Sequence, residues 1–85
     1  MKIEYHSKFI KEYKRLPVHI QKLAEEKEKI FTKNLFDPQL KTHKLHGKFK
    51  GFYSFSINYQ YRIIFEIKKE QVFIFLLIGK HNMYK

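Results

Sequence analysis

The sequence predicts an α+β domain, in which an N-terminal strand and a helical hairpin pack on one face of a twisted, mostly antiparallel sheet of four to five strands. Two observations support this prediction. Apolar residues between Phe9 and Phe31 recur at helical spacing, whereas the last third consists of apolar and aromatic runs separated by short polar connections. The chain has 85 residues, enough for one domain, and we assign residues 1–85 to it.

Residues 2–6 alternate in polarity and predict the first strand, and Ser7 is a candidate N-cap for the helix that follows. Pro17 separates two helices, because proline ends one helix and fits the first turn of the next. The first apolar stripe consists of Phe9, Ile10, Tyr13 and Leu16, and the second of Ile20, Leu23, Ala24, Lys27, Ile30 and Phe31. One lysine, Lys27, interrupts the second stripe, and Glu12 is expected to face outward.

The remaining elements belong to the sheet. Asp37 and Pro38 mark a turn, residues 41–45 predict a short strand, and a basic loop follows between Gly47 and Gly51. Three longer strands are predicted at residues 52–57, 61–67 and 72–78, joined as an antiparallel meander. Alternation assigns Arg62 to the face opposite the helices, so we expect Arg62 on an open, shallow polar floor.

The composition restricts the possible partners. The formal net charge is +10, and such an excess favours a partner of opposite sign: nucleic acid first, an acidic protein second, a membrane surface last. There is no cysteine and no apolar run of membrane length, so we expect a soluble cytoplasmic protein without disulfides. His43 and His46 would lie on opposite faces of a strand, so no metal site is expected.

The positive signal is a basic cluster interleaved with aromatic residues, which suits a polyanion whose bases can stack. The candidate RNA-binding residues are Lys44, His46, Lys48, Lys50, Ser54, Ser56 and Lys80. For each lysine alone, solvation of a loop is an equally good interpretation. Arg62 could instead form an ordinary salt bridge with Glu66 or with a neighbouring strand. His81 follows Gly79 at the end of the most apolar strand, where a scaffold often presents functional groups.

Six segments carry a family resemblance: residues 9–17, 34–38, 43–47, 51–54, 61–65 and 78–81. In this order they resemble the RelE/ParE superfamily of toxins from type II toxin–antitoxin systems, especially the RelE and YafQ types. The resemblance implies an acidic antitoxin as partner and, in ribosome-dependent members, cleavage of mRNA in the ribosomal A site. There the 2′-hydroxyl of the RNA attacks the adjacent phosphate, so no metal or cofactor is required.

The resemblance also implies roles for four residues. Arg62 would clamp the phosphate, and His81 would be the general acid or base. His43 would be the counterpart of His81. Tyr84 would stand for the terminal aromatic residue of the family, which stacks or shuttles a proton.

The chain departs from the YafQ pattern at three places. The spacing from His81 to Tyr84 is one residue shorter than is common, and Gln60 and Ser56 occupy positions where the YafQ type has an aspartate and a histidine. Two other functions therefore stay open: a ParE-like inhibitor of DNA gyrase that cuts nothing, or an inactive basic module held by an acidic antitoxin.

Overall fold

The computed structural model describes the backbone of residues 1–84 and the side chains of residues 1–82. Within these residues, the elements in chain order are β1 (Lys2–Tyr5), α1 (Ser7–Lys14), α2 (Val18–Lys33), β2 (His43–Lys44), β3 (Tyr53–Ser56), β4 (Tyr61–Lys69) and β5 (Val72–Lys80). Short 3₁₀ helices occupy Pro38–Leu40, Gly47–Phe49 and His81–Tyr84. The predicted α+β fold is confirmed.

The strands form one mixed sheet in the order β1-β5-β4-β3-β2. The meander from β2 to β5 is antiparallel, as the short connections predict. β1 instead runs parallel to β5, with Ile3 opposite Phe73. A parallel neighbour requires a crossover, and here the chain passes through both helices and three strands before it returns beside β1.

Both helices begin near the expected positions, but the first cap differs from the prediction. The Lys8 backbone N–H donates to Nδ1 of His6 at 3.1 Å. His6 therefore caps α1, and Ser7 is already helical. The prediction of Ser7 as the N-cap is wrong because the ring nitrogen of His6 supplies the acceptor one residue earlier. Pro17 precedes α2, as predicted.

The core lies between the helices and the sheet and is dominated by phenylalanine. Phe31 of α2 is fully buried, and its ring centroid lies 5.0–5.3 Å from those of four sheet residues: Phe55, Phe65, Phe73 and Phe75. Aromatic pairs in such geometries contribute about 0.5–1.5 kcal/mol each beyond their buried area. Alternation predicts that Phe55, Ile63 and Phe65 face the helices, and all three are buried in the core. Ile67, expected on the same side, is instead 39% exposed.

Glu12 departs from its predicted outward position. Its Oε1 accepts a hydrogen bond from the Ile78 backbone N–H at 3.1 Å. The register of β1 along β5 ends at Phe75, so the neighbouring edge of β5 lacks a strand beyond that residue. The Glu12 carboxylate takes the place of that missing strand for one N–H group.

The face opposite the helices is less open than predicted. Ser54 and Ile64 are fully buried and Ser56 is 6% exposed. Ser54 lies in one cross-strand row between His43 of β2 and Ile64 of β4, so larger side chains flank its short one. The prediction of an open floor is wrong at both serines.

No helix among the described residues has the length and apolar character needed to cross a membrane.

Candidate functional site

Arg62 lies near the start of β4, opposite Ser56 on β3 and Gly79 on β5. Its Nη1 donates to Ser56 Oγ at 2.5 Å and to the Asn58 carbonyl oxygen at 2.9 Å. Both acceptors are uncharged, and they fix the orientation of the guanidinium group. Ser56, which is expected to contact RNA, accepts this hydrogen bond from Arg62.

Arg62 retains one nitrogen for a ligand. Among the residues that the structure describes, Nη2 makes no hydrogen bond, whereas Nε, also without a partner, is buried and out of reach of a ligand. The described residues form two ion pairs, and these join Glu4 to Lys2 and to Lys68. A salt bridge from Arg62 to Glu66 or to a neighbouring strand is therefore not observed, and no carboxylate of the described residues pairs with Arg62.

His81 lies at the same end of the sheet as Arg62. Its backbone N–H donates to the Gln60 carbonyl oxygen at 2.7 Å, which extends the β4–β5 pairing by one bond. His81 is two residues beyond Gly79, the partner of Arg62, so its Cα lies about 7 Å further along the strand. Its side chain is exposed. The structure thus brings these two predicted residues together.

His43 lies on the other side of Arg62, on the edge strand β2. Its Nδ1 hydrogen-bonds to the Lys41 carbonyl oxygen at 2.9 Å. A carbonyl oxygen only accepts, so Nδ1 carries the proton and Nε2 of the neutral ring has a free lone pair. β2 and β5 are three strand spacings apart, about 14 Å, and His81 lies four residues beyond Leu77, which shares the cross-strand row of His43. The two histidines therefore flank Arg62 from opposite sides, with Cα atoms about 20 Å apart.

The remaining predicted residues are distributed over two places. Lys44, His46, Lys48 and Lys50 are exposed at the edge around β2, and Lys80 is exposed at the end of β5. Lys48 Nζ lies 5.6 Å from the Phe49 ring centroid, within range of a cation–π contact. The side chain of Tyr84 lies outside the described residues.

A cavity of about 190 Å³ opens beside Arg62 and was missed by the sequence analysis. It is lined by Lys27, Gln39, Lys41, Ser56, Ile57, Asn58, Tyr59 and Arg62, and we call it the cation pocket. Its three cations come from α2, from the segment after Leu40 and from β4. The interruption of the α2 stripe by Lys27 was a sign of this arrangement, whereas nothing local in the sequence singled out Lys41.

A larger cavity, of about 540 Å³, lies away from these cations. It is a mostly apolar groove between the helices, lined by residues such as Phe9, Ile10, Tyr13 and Glu25. Here the Tyr13 hydroxyl donates to Glu25 Oε2 at 2.9 Å, and the Tyr5 hydroxyl donates to Glu28 Oε2. Burial, followed by these carboxylates, raises the pKa of both tyrosines.

Within the described part of the chain, no group of three or more histidine, aspartate or glutamate side chains could hold a metal ion.

Comparisons with known proteins agree with the fold. The family model for a bacterial toxin of a type II toxin–antitoxin system, YafQ, matches residues 1–84. No curated protein matches the sequence.

Three solved structures are similar. YafQ from E. coli strain BL21(DE3) has 18% identity and a TM-score of 0.78, over 94% of this chain and 92% of that one. The YoeB/ParE toxin from Agrobacterium tumefaciens has 16% identity and a TM-score of 0.78, over 95% and 99%. The E. coli DinJ–YafQ toxin–antitoxin complex has 18% identity and a TM-score of 0.78, over 99% and 97%. At these identities the likeness concerns the fold.

Proposed function

The chain belongs to the YafQ family of bacterial toxins of type II toxin–antitoxin systems, and on this basis we propose that it is a ribosome-dependent endoribonuclease. It inhibits translation in the cytoplasm by cutting mRNA in the ribosomal A site. One observation in particular supports this proposal. Arg62 donates to two uncharged acceptors, forms no ion pair among the described residues, keeps Nη2 without a partner there, and lies between His43 and His81.

The proposed reaction is an internal transfer of the phosphate. The 2′-oxygen bonds to phosphorus and the bond to the 5′-oxygen breaks, which leaves a 2′,3′-cyclic phosphate and a free 5′-hydroxyl. A base must take the proton of the 2′-hydroxyl, and an acid must give one to the departing 5′-oxygen. Arg62 Nη2 would stabilise the charge that develops on the non-bridging oxygens.

The positions of the histidines suit this chemistry. In an in-line displacement the attacking and leaving oxygens lie on opposite sides of phosphorus, so a base and an acid on opposite sides of Arg62 could each reach one of them. In its neutral form His43 would present the Nε2 lone pair of a general base, because its Nδ1–H donates to the Lys41 carbonyl oxygen. We therefore assign His43 as the base and His81 as the acid. Tyr84 would stack on a base or assist proton transfer.

A cognate acidic antitoxin is the second partner that we propose. The E. coli relative has been solved as a complex of DinJ with YafQ. The net charge of +10 on this chain favours both an acidic protein and RNA. The exposed Lys44, Lys48, Lys50 and Lys80 would contact the RNA backbone, with His46 beside them.

The proposal is tested by inducing the chain in a bacterial host and mapping cuts in a translated message by primer extension. We expect cleavage that requires translation, and a loss of about 10²–10⁴-fold with Arg62→Ala or His81→Ala. Arg15→Ala and His19→Ala are the matched controls, because they remove the same side chains from exposed positions, Arg15 at the C-cap of α1 and His19 in α2.

Each opposite outcome selects one of the other two functions. Growth arrest that survives both site substitutions, with altered DNA supercoiling, would identify a gyrase inhibitor. A folded wild-type chain that causes no arrest and no cleavage would identify an inactive basic module. Circular dichroism of each purified variant separates loss of the site from loss of the fold.

A further inference from the structure

The cation pocket concentrates positive charge without compensation. Lys27, Lys41 and Arg62 line one cavity of about 190 Å³, and its described lining contains no carboxylate. Neither ion pair among the described residues involves any of the three cations. Like charges that line one cavity repel one another, so the pocket favours an anionic ligand.

Lys41 has an unusual backbone conformation. Its φ of 52° and ψ of 41° lie in the left-handed region, which residues other than glycine seldom adopt. Leu40, which precedes Lys41, is fully buried. The Lys41 carbonyl oxygen accepts the hydrogen bond from His43. Neighbouring contacts thus maintain a conformation that a lysine does not prefer, which is more common at functional sites than elsewhere.

Lys27 reaches the pocket from the buried side of α2. It lies three residues after Ala24 and four before Phe31, and both of these are buried in the core. Its aliphatic stem can therefore run along apolar surface, and Lys27 is one of the residues that line the pocket. An apolar residue at this position would continue the stripe, so the lysine is not explained by packing.

The pocket and His81 lie on different sides of Arg62. The lining residues Ser56 and Asn58 belong to β3 and the connection after it, whereas His81 follows β5. β4, with Arg62, lies between β3 and β5. A phosphate in reach of His81 would therefore occupy a different position from one that fills the pocket.

We propose that the cation pocket binds the RNA backbone phosphate next to the scissile one. Lys27 and Lys41 are its positioning residues, and Arg62 contacts both phosphates. This inference rests on the proposed function and adds a second point of contact with the same RNA strand. Because the pocket lies on the His43 side, its phosphate is the one on the 5′ side of the attacking 2′-hydroxyl.

Tyr59 offers a place for the attached base. It lines the rim of the pocket and is 84% exposed, the most exposed large hydrophobic residue in the described part of the chain. An aromatic ring beside a phosphate site is the arrangement with which proteins stack single-stranded bases. Tyr59→Phe should retain RNA affinity, and Tyr59→Ala should lower it about tenfold.

The central test uses the double variant Lys27→Gln/Lys41→Gln and a short 2′-O-methyl RNA, which cannot be cut. Fluorescence anisotropy should show an affinity about tenfold lower than that of the wild type. The slope of log K against log salt should become shallower by about 0.7, the value for one lost phosphate contact on a single strand. The matched control is Lys22→Gln/Lys29→Gln, which removes two charges from the same helix outside the pocket.

A second readout separates positioning from catalysis. On programmed ribosomes the pocket variant should need about tenfold more substrate for half-maximal cleavage, with a maximal rate close to that of the wild type. Failure of the wild type to cut on ribosomes would contradict the proposed function. The oligonucleotide assay tests the pocket whatever that result is.

Three results would overturn the inference. Equal loss of RNA affinity in the pocket and control variants would mean diffuse attraction without a site. A fall in the maximal cleavage rate with unchanged RNA affinity would place the scissile phosphate itself in the pocket. Loss of affinity for an oligoglutamate peptide, with RNA affinity unchanged, would assign the pocket to an acidic protein.

Discussion

The helical side of the molecule and the cation pocket differ in whether their charged groups have partners within the protein. On the helical side three carboxylates each accept a hydrogen bond from another element: Glu12 from Ile78, Glu25 from Tyr13 and Glu28 from Tyr5. In the pocket, Lys27, Lys41 and Arg62 share a cavity whose described lining has no acidic residue. Both regions contain polar groups at the edge of the core, but the first is internally satisfied and the second is not.

This difference separates polar groups that hold the fold together from those available to a ligand. A carboxylate that satisfies a backbone N–H or a phenol stabilises the folded state, because removing it leaves a donor without a partner. Cations without counterions instead repel one another, which destabilises the folded state, and they are available to an anionic ligand. Substitutions on the helical side should therefore change stability and leave RNA cleavage intact.

The largest effect on that side is expected at Glu12. Glu12→Ala leaves the N–H of buried Ile78 without an acceptor, which should lower the free energy of unfolding by about 1–3 kcal/mol. Equilibrium unfolding in urea measures this change. Glu12→Gln is the matched control, because it removes the same charge but keeps a side-chain oxygen that can accept.

The two variants distinguish the hydrogen bond from the charge. Glu12→Gln should retain most of the stability that Glu12→Ala loses, and both should cut mRNA at the wild-type rate. Equal destabilisation by the two substitutions would show that the negative charge matters on this basic protein and that the bond to Ile78 does not.

The next effect concerns pH and the tyrosine–glutamate pairs. Burial and the neighbouring Glu28 raise the pKa of Tyr5 above its ordinary value of 10.0. The fold thus favours the neutral phenol, so this contribution to stability is complete below pH 10 and is lost as the pH rises above it. The pKa of Tyr13 shifts in the same direction.

Tyr5→Phe tests this dependence because it keeps the ring contacts with Phe9 and Phe75 and removes the hydroxyl. At pH 7 the variant should lose about 0.5–1 kcal/mol of unfolding free energy, the value of one partly exposed hydrogen bond. Between pH 9 and pH 11 the stability of the wild type should fall more steeply than that of the variant. Parallel pH profiles would contradict the assignment of this hydroxyl to a stabilising pair.

The layout of the fold was predictable because it depends on local periodicity. Helical spacing identified the stripe of α2 that ends in Phe31, and period-two alternation identified the facing residues of β3 and β4. Two features depended on distant contacts instead. The parallel pairing of β1 and the bond from Glu12 to β5 are set by how the crossover returns, and no local pattern encodes them.

The site shows the same division. Alternation predicted that Arg62 shares a face with small polar residues, and the pairing register places one of them, Ser56, opposite Arg62. The approach of Lys27 and Lys41 joins α2, the segment after Leu40 and β4, which are far apart in the sequence. The burial of Ser54 was also missed, because alternation assigns a face but does not show how well its neighbours cover it.

The smallest expected effect is at the first cap of the helical side. His6 Nδ1 accepts from the Lys8 N–H, so His6→Ala should lower the free energy of unfolding by about 0.5 kcal/mol. His6→Asn supplies an acceptor that N-caps prefer and should equal or exceed the wild type in urea unfolding. Neither substitution should alter RNA affinity or cleavage, because α1 lies away from the cation pocket. If His6→Ala weakened RNA binding without a change in stability, this histidine would belong with the ligand-binding cations and the division between the two regions would fail.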